Sequence, residues 1–197
     1  MSIGDNWESA IEPIREIAAK QIATYGVVSF SETPLSTLMW AHYADAGRGF
    51  VVGFDGSNAA FRDRRAAHPC GRLTRVRYRD RLLPLTLDKL ADEASRQDVL
   101  MRLLLQKQSF WRYEREVRFI LPRSAADASE EIEGRQLSFK SLPTSAISDI
   151  VVGPAVSQDD AQWARRLRGR LGATRWHQLR TSYVAQRPYL APFEAAS

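Results

Sequence analysis

Between Lys107 and Ile120 the chain runs Lys-x-x-x-Trp-x-Tyr-Glu-Arg-Glu-Val-Arg-Phe-Ile. Taken as a strand from Glu114 to Leu121, it points Glu114, Glu116 and Arg118 to one face and Val117, Phe119 and Leu121 to the other. The apolar face belongs to a core. The polar face has two readings. One is a solvent-facing ladder in which Arg118 neutralises Glu116, which the spacing alone favours. The other is the floor of a cleft, where one carboxylate stabilises a developing cation and the second orients or deprotonates an acceptor.

A second chemistry-bearing segment is Leu38-Met-Trp-Ala-His-Tyr-Ala44. Helical spacing groups Leu38 with Ala41 and sets His42 one turn from Leu38, so a buried, hydrogen-bonded structural histidine is the plain reading and a site imidazole the other. Trp40 and Tyr43, three residues apart, serve equally as core or as a stacking platform.

Other candidates are weaker. Gly47, Gly49 and Gly53 precede and enter a strand, whereas a dinucleotide loop follows a strand and opens a helix, so a phosphate loop is rejected. The turn at Gly153 does lie between a strand and a helix, but Asp159 and Asp160 occupy the helix start and would repel an anion. His68-Pro-Cys70, with His42 or His177, falls far short of the four spaced ligands of a structural zinc. Cys70 has no orienting partner beside it in sequence that would make it a nucleophile.

The elements that must position these residues follow from periodicity. An amphipathic helix is expected from Trp7 to Ala23, a strand from Tyr25 to Ser31, a short helix from Leu35 to Ala44 and a strand from Gly49 to Phe54. A short helix and loop should fill Asn58 to Gly71, with a strand from Leu73 to Tyr78. A long helical region is expected over Thr86 to Gln108, with Ser95 opening a second helix inside it. Beyond the Glu114 strand, Ser124 to Gly134 reads as an exposed acidic loop and Arg135 to Lys140 as a strand. Strand, helix and strand follow over Asp149 to Gly153, Ser157 to Gly172 and Ala173 to Leu179. Ser157 with Asp160 caps the helix and Gly172 stops it. This mixture, without strict βα alternation, is an α+β pattern: one domain over 1–197 with a mixed or mostly antiparallel sheet, an N-terminal helix (1–24), a core (25–187) and a tail (188–197).

Composition sets the outer limits. At 197 residues, 44% hydrophobic and 26% charged, the chain suits one globular core and excludes a disordered tail, a collagen-like repeat or a coiled coil. One cysteine, no run of about 20 apolar residues and no signal-like start point to a soluble cytoplasmic protein with no membrane partner. The net charge of +5 invites nucleic acid, but 24 of the 28 basic residues are arginine and most are interleaved with acids. Arg165, Arg166 and Arg170 on the C-terminal helix read first as a solvated basic face.

Read together, Val28-Ser-Phe-Ser-Glu32, the Leu38–Ala44 segment, Gly49-Phe-x-x-Gly-Phe-Asp55 and Trp111-x-Tyr-Glu-x-Glu-x-Arg118 resemble a large bacterial family that carries the label domain of unknown function. Its marks are an SFSE strand, an LMWxHYA helix and a YExExR strand, and the likeness runs from about Val27 to Gly153. Where members usually carry an Asn-Asp-Pro segment before the SFSE strand, this chain has the Trp7–Ala23 helix.

In layout the family is similar to ADP-ribosyltransferases, with Ser29-Phe-Ser31 and Glu114-x-Glu116 in matching order. That similarity implies NAD as the substrate cofactor. Glu116 would hold the ribose hydroxyl and stabilise an oxocarbenium-like transition state, and Glu114 would position a nucleic-acid or protein acceptor. His42 would stand with them as a catalytic residue, and Ser29, Ser31, Trp40, Tyr43 and Arg118 would line the substrate site. The alternative is a non-catalytic nucleic-acid or protein-interaction module serving phage defence or stress response.

Overall fold

A computed structural model describes residues 7–63, 70–81, 93–157 and 162–193. Four α-helices lie among them, α1 (Trp7–Ile22), α2 (Thr37–Tyr43), α3 (Glu93–Leu104) and α4 (Gln162–Leu171). The strands are β1 (Tyr25–Ser31), β2 (Phe50–Phe54), β3 (Leu73–Arg75), β4 (Arg77–Arg79), β5 (Gln106–Gln108), β6 (Glu116–Pro122), β7 (Ala128–Ile132), β8 (Arg135–Phe139), β9 (Ile147–Val152), β10 (Arg175–Ser182) and β11 (Arg187–Pro192). The protein is α+β, as its pattern implies. No described helix is long and apolar enough to cross a membrane.

The chain packs as two compact units. One is drawn from Met1–Phe30, Asp63–Arg112 and Glu116–Ser141, the other from Ser31–Arg62, Tyr113–Arg115 and Leu142–Ser197.

In the first unit β6 is the centre strand of the sheet β1-β6-β3. Its antiparallel register with β3 sets Leu73 against Phe119 and Thr74 against Arg118. Ile120 packs with Cys70, Leu100 and Met101, while Ile22, Tyr25, Leu104 and Leu105 close around them. On α1, Ala18 is buried, whereas Ile17, expected on the same apolar side, is half exposed. Parallel β4 and β5 pair beside this core, and the strand expected over Leu73 to Tyr78 is two short strands broken at buried Val76.

The acidic segment expected as a loop is instead half of a hairpin. β7 pairs antiparallel with β8 across Glu133 and Gly134, both at positive φ (51° and 73°). Two consecutive left-handed residues match the right-handed twist of a two-residue hairpin turn, and a glycine in the second place makes that turn accessible. Every residue of β7 is exposed, which explains why no apolar alternation marks it.

The second unit is built on the sheet β11-β10-β9-β2. β9 runs parallel to β10 and antiparallel to β2, and β10 with β11 forms a hairpin. One face packs Ile150, Val152 and Trp176 against Ala164, Leu167 and Leu171 of α4. The other packs Val151 and Leu179 against Trp40 and Ala44. Gly172, at φ 44°, ends α4 in the left-handed conformation expected of it. Residues 188–192, expected as part of a tail, belong to β11; Pro188 and Pro192 disguise it, and an edge strand tolerates proline.

Several expectations fall outside the described residues: the helix-and-loop reading over 64–69, the opening of the long helix at 82–92, the Ser157/Asp160 cap with Asp159, and the last four residues.

Candidate functional site

Glu116 opens β6, and pleat alternation puts Arg118 and Ile120 on its side of the strand. That side leads into the Cys70–Leu100–Met101 core, so the carboxylate is 6% exposed instead of facing water. The expected ladder is corrected in this respect, while its ion pair is present. Arg118 donates through Nε to Glu116 Oε1 at 2.8 Å and through Nη2 to Oε2 at 3.1 Å, a bidentate grip. The Arg118 Nη1 donates to the carbonyl of Leu104, the last residue of α3. A guanidinium there meets the partly negative end of a helix dipole.

Three further groups converge on Glu116. Ser29, on neighbouring β1, donates to Oε1 at 2.5 Å. Lys107 on β5 donates to Oε2 at 3.3 Å, and its ammonium lies 5.0 Å from the centre of the Trp111 ring. The Tyr78 hydroxyl oxygen accepts from the Glu116 backbone N–H at 2.8 Å. Burial pushes the carboxyl up, but the hydrogen bonds from Arg118 and Ser29 and the charges of Arg118 and Lys107 outweigh it and hold the group below its ordinary value. Glu116 is therefore a fixed anion at neutral pH.

Glu114 lies outside the strand. Residues 109–114 form a 3-10 turn and Arg115 stands at φ 46°, so β6 starts two residues later than its alternation suggests. The left-handed residue separates the two glutamates into different surroundings. Glu114, 4% exposed, accepts from the Tyr43 hydroxyl at 3.1 Å, and its backbone carbonyl accepts from Ser31 Oγ at 2.7 Å. The Glu32 N–H donates to the Arg115 carbonyl at 3.1 Å.

His42 is exposed, which corrects the plain reading of a buried histidine. The physical reason is the rotation of α2. Ser36 caps the helix through the Met39 N–H, and the helix buries Trp40 and Ala44 while Leu38 stays 49% exposed. The Trp40 ring enters the core with Val151 and Leu179 and donates from Nε1 to the Pro34 carbonyl at 2.6 Å, so of its two readings the core one applies. The imidazole of His42 instead contacts the rings of Tyr43 and Tyr113 at centroid distances of 6.3 and 6.5 Å.

The structure thus gathers Ser29, Glu116 and Arg118 in one group and Ser31, Tyr43 and Glu114 in another. Lys107 and Tyr78 had no role in the sequence reading. Lys107 stands in the motif segment, and its rarity in an arginine-rich chain was the available signal. Tyr78 comes from a distant strand and gave none. A further cluster, Asp149 with Arg175 and His177, was also missed. Arg175 grips both carboxylate oxygens at 2.8 and 2.9 Å, and His177 Nε2 lies 3.0 Å from Oδ1. No group of three or more His, Cys, Asp or Glu able to hold a metal occurs among the described residues, and His68 is not one of these.

Residues 39–119 match the model of a family described as protein of unknown function (DUF2971). The matched stretch runs from α2 into β6, and so contains His42, Tyr43, Lys107, Glu114, Glu116 and Arg118. No curated protein and no solved structure matches the chain.

Proposed function

We propose that the protein cleaves NAD and passes its ADP-ribosyl group to an acceptor, with Glu116 as the electrostatic centre. The observation that carries this reading is the 2.5 Å hydrogen bond from Ser29 to Glu116. A strand serine orients a buried, permanently ionised carboxylate, the kind of preorganised anion that stabilises a developing oxocarbenium ion. In the reaction the bond between ribose C1′ and the nicotinamide nitrogen breaks, its electron pair leaving with neutral nicotinamide. An acceptor oxygen or nitrogen, water in the simplest case, then bonds to C1′ and gives up its proton to solvent.

Lys107 makes the longest of the contacts to the carboxylate and is the easiest to exchange. A ribose hydroxyl would replace its ammonium at Oε2, while Ser29 and Arg118 keep the carboxylate in place.

A second reading has its own support. The two Glu116 oxygens already accept four hydrogen bonds, which is how a structural ion cluster behaves. In that case the protein is a binding module without this chemistry. NAD at millimolar concentration separates the two. The enzymatic reading expects a rise in melting temperature and release of nicotinamide, abolished by Glu116→Gln and reduced roughly 10- to 100-fold by Ser29→Ala. Neither a thermal shift nor nicotinamide from the wild-type protein would leave the structural reading.

A further inference from the structure

From Ala161 to Phe193 the sequence holds seven arginines and neither aspartate nor glutamate. Most of the chain mixes its charges, although residues 64–79 also hold six arginines without an acid, so this stretch is one of two local excesses of cations. In the structure it comprises α4 and the β10–β11 hairpin, all within the second unit.

Register shows which of these arginines share a side. α4 packs on the face of the sheet that carries Trp176. Alternation from Trp176 places Gln178 and Arg180 on that face, and the antiparallel register sets Tyr189 directly opposite Arg180 and Arg187 opposite Ser182. Arg180, Arg187 and Tyr189 therefore project on the same side as α4, whose Arg166, Arg168 and Arg170 are exposed. None of these five arginines is in an ion pair among the described residues, whereas Arg175, on the opposite face, is bound to Asp149. Tyr189 is 43% exposed, and Tyr183 at the hairpin tip is 95% exposed. An open groove of about 920 Å³ runs along the hairpin, lined by Pro154 and residues that include Gln178, Arg180, Arg187 and Tyr189.

We infer that this side of the second unit binds single-stranded nucleic acid. The arginines supply a surface for phosphates without carboxylates to repel them, and no ion pair must first be broken; Arg180 has only a 3.4 Å hydrogen bond to Gln178 Oε1 to exchange. Tyr189 between Arg180 and Arg187 offers a ring on which an unpaired base stacks, and Gln178, whose Oε1 accepts from Arg180, keeps its amide N–H groups for a base edge. A duplex, whose bases are already stacked, has no use for the tyrosine. The inference is independent of NAD chemistry and uses none of the residues around Glu116.

The test is fluorescence anisotropy of the full chain with labelled single strands of RNA and of DNA about 12 nucleotides long, spanning one ordinary site size. A duplex of the same sequence and anionic lipid vesicles serve as comparison arms. Binding to at least one kind of single strand should weaken linearly with log salt. Arg180→Gln with Arg187→Gln should lower affinity at least about 10-fold and reduce the salt slope by about 1.4. Tyr189→Ala should weaken binding about fivefold or more and leave the slope unchanged. Because these side chains are exposed, melting temperatures should not move. Absence of single-strand binding at low salt, equal affinity for duplex with no effect of Tyr189→Ala, or binding to vesicles alone would each overturn the inference.

Discussion

A methyl group added to Gly153 would sit 2.0 Å from the carbonyl oxygen of Gly47. The two backbones touch because the Gly153 N–H donates to the Gly49 carbonyl at 3.0 Å and the Ala155 N–H to the Gly47 carbonyl at 3.1 Å. Gly47 and Gly49, which look like fragments of a phosphate loop, thus form with Gly153 the contact between the turn after α2 and the turn after β9. Gly153→Ala is expected to destabilise the protein by roughly 3 kcal/mol, because backbone must shift to admit the methyl. Gly169→Ala, where nothing lies within 4 Å of the added carbon, should be neutral or stabilising. Urea denaturation of the two variants gives the comparison, and equal stabilities would contradict it.

Asp149 carries an acid-dependent part of the stability. Two hydrogen bonds from Arg175 lead the causes that lower its carboxyl to about 2, with Ser148 and His177 adding to them against the opposing push of burial. A folded value below the unfolded one means that this stabilisation is complete above about pH 4–5 and fades as the pH falls toward 2. Arg175→Ala should shrink the stability difference between pH 5 and pH 2.5 relative to wild type. An unchanged difference would show that the pair contributes nothing.

Trp40→Ala is expected to cost about 3–5 kcal/mol, and Trp40→Phe about 1–3 kcal/mol, since phenylalanine keeps most of the packing but loses the donor to the Pro34 carbonyl. A large loss in the first variant with a mild one in the second would fit a core side chain. Melting curves that barely move for either would not.

Ser29→Ala tests the strand contact to Glu116 apart from any catalysis. The lost hydrogen bond goes to an ionised group, and its removal should cost about 1.5–3 kcal/mol. Lys107→Met, which removes the longest contact from a side chain 26% exposed, should cost less than Ser29→Ala, because Arg118 still neutralises Glu116. The order of these two effects, read from chemical denaturation, is the discriminating result.

What the sequence displays is governed by locality. Helices such as α2 and α4, the stop at Gly172 and the pairing of Glu116 with Arg118 depend on neighbours within a few residues, and all are readable from spacing. The face that α2 buries is not, because Trp40 and Leu38 are both apolar and only Val151 and Leu179 of distant strands select between them. The same holds for the burial of Glu116. Its strand alternates like one with a wet side, and the core residues that cover that side come from elsewhere in the chain. β7 and β11 escape notice for compositional reasons, one being wholly exposed and the other bounded by prolines. Seven arginines without an acid in 33 residues were in plain view, yet their meaning depends on register, which places Tyr189 opposite Arg180.

The left-handed turn at Arg115 makes the two glutamates around it non-equivalent. In an unbroken strand a slip of two residues would merely exchange one carboxylate for the other. Here each has its own hydroxyl donor, Ser29 for Glu116 and Tyr43 for Glu114, so swapping the pair for aspartates or shifting them by insertion would strand both donors at once. The segment is therefore addressed residue by residue, and its tolerance to change should be among the lowest in the chain.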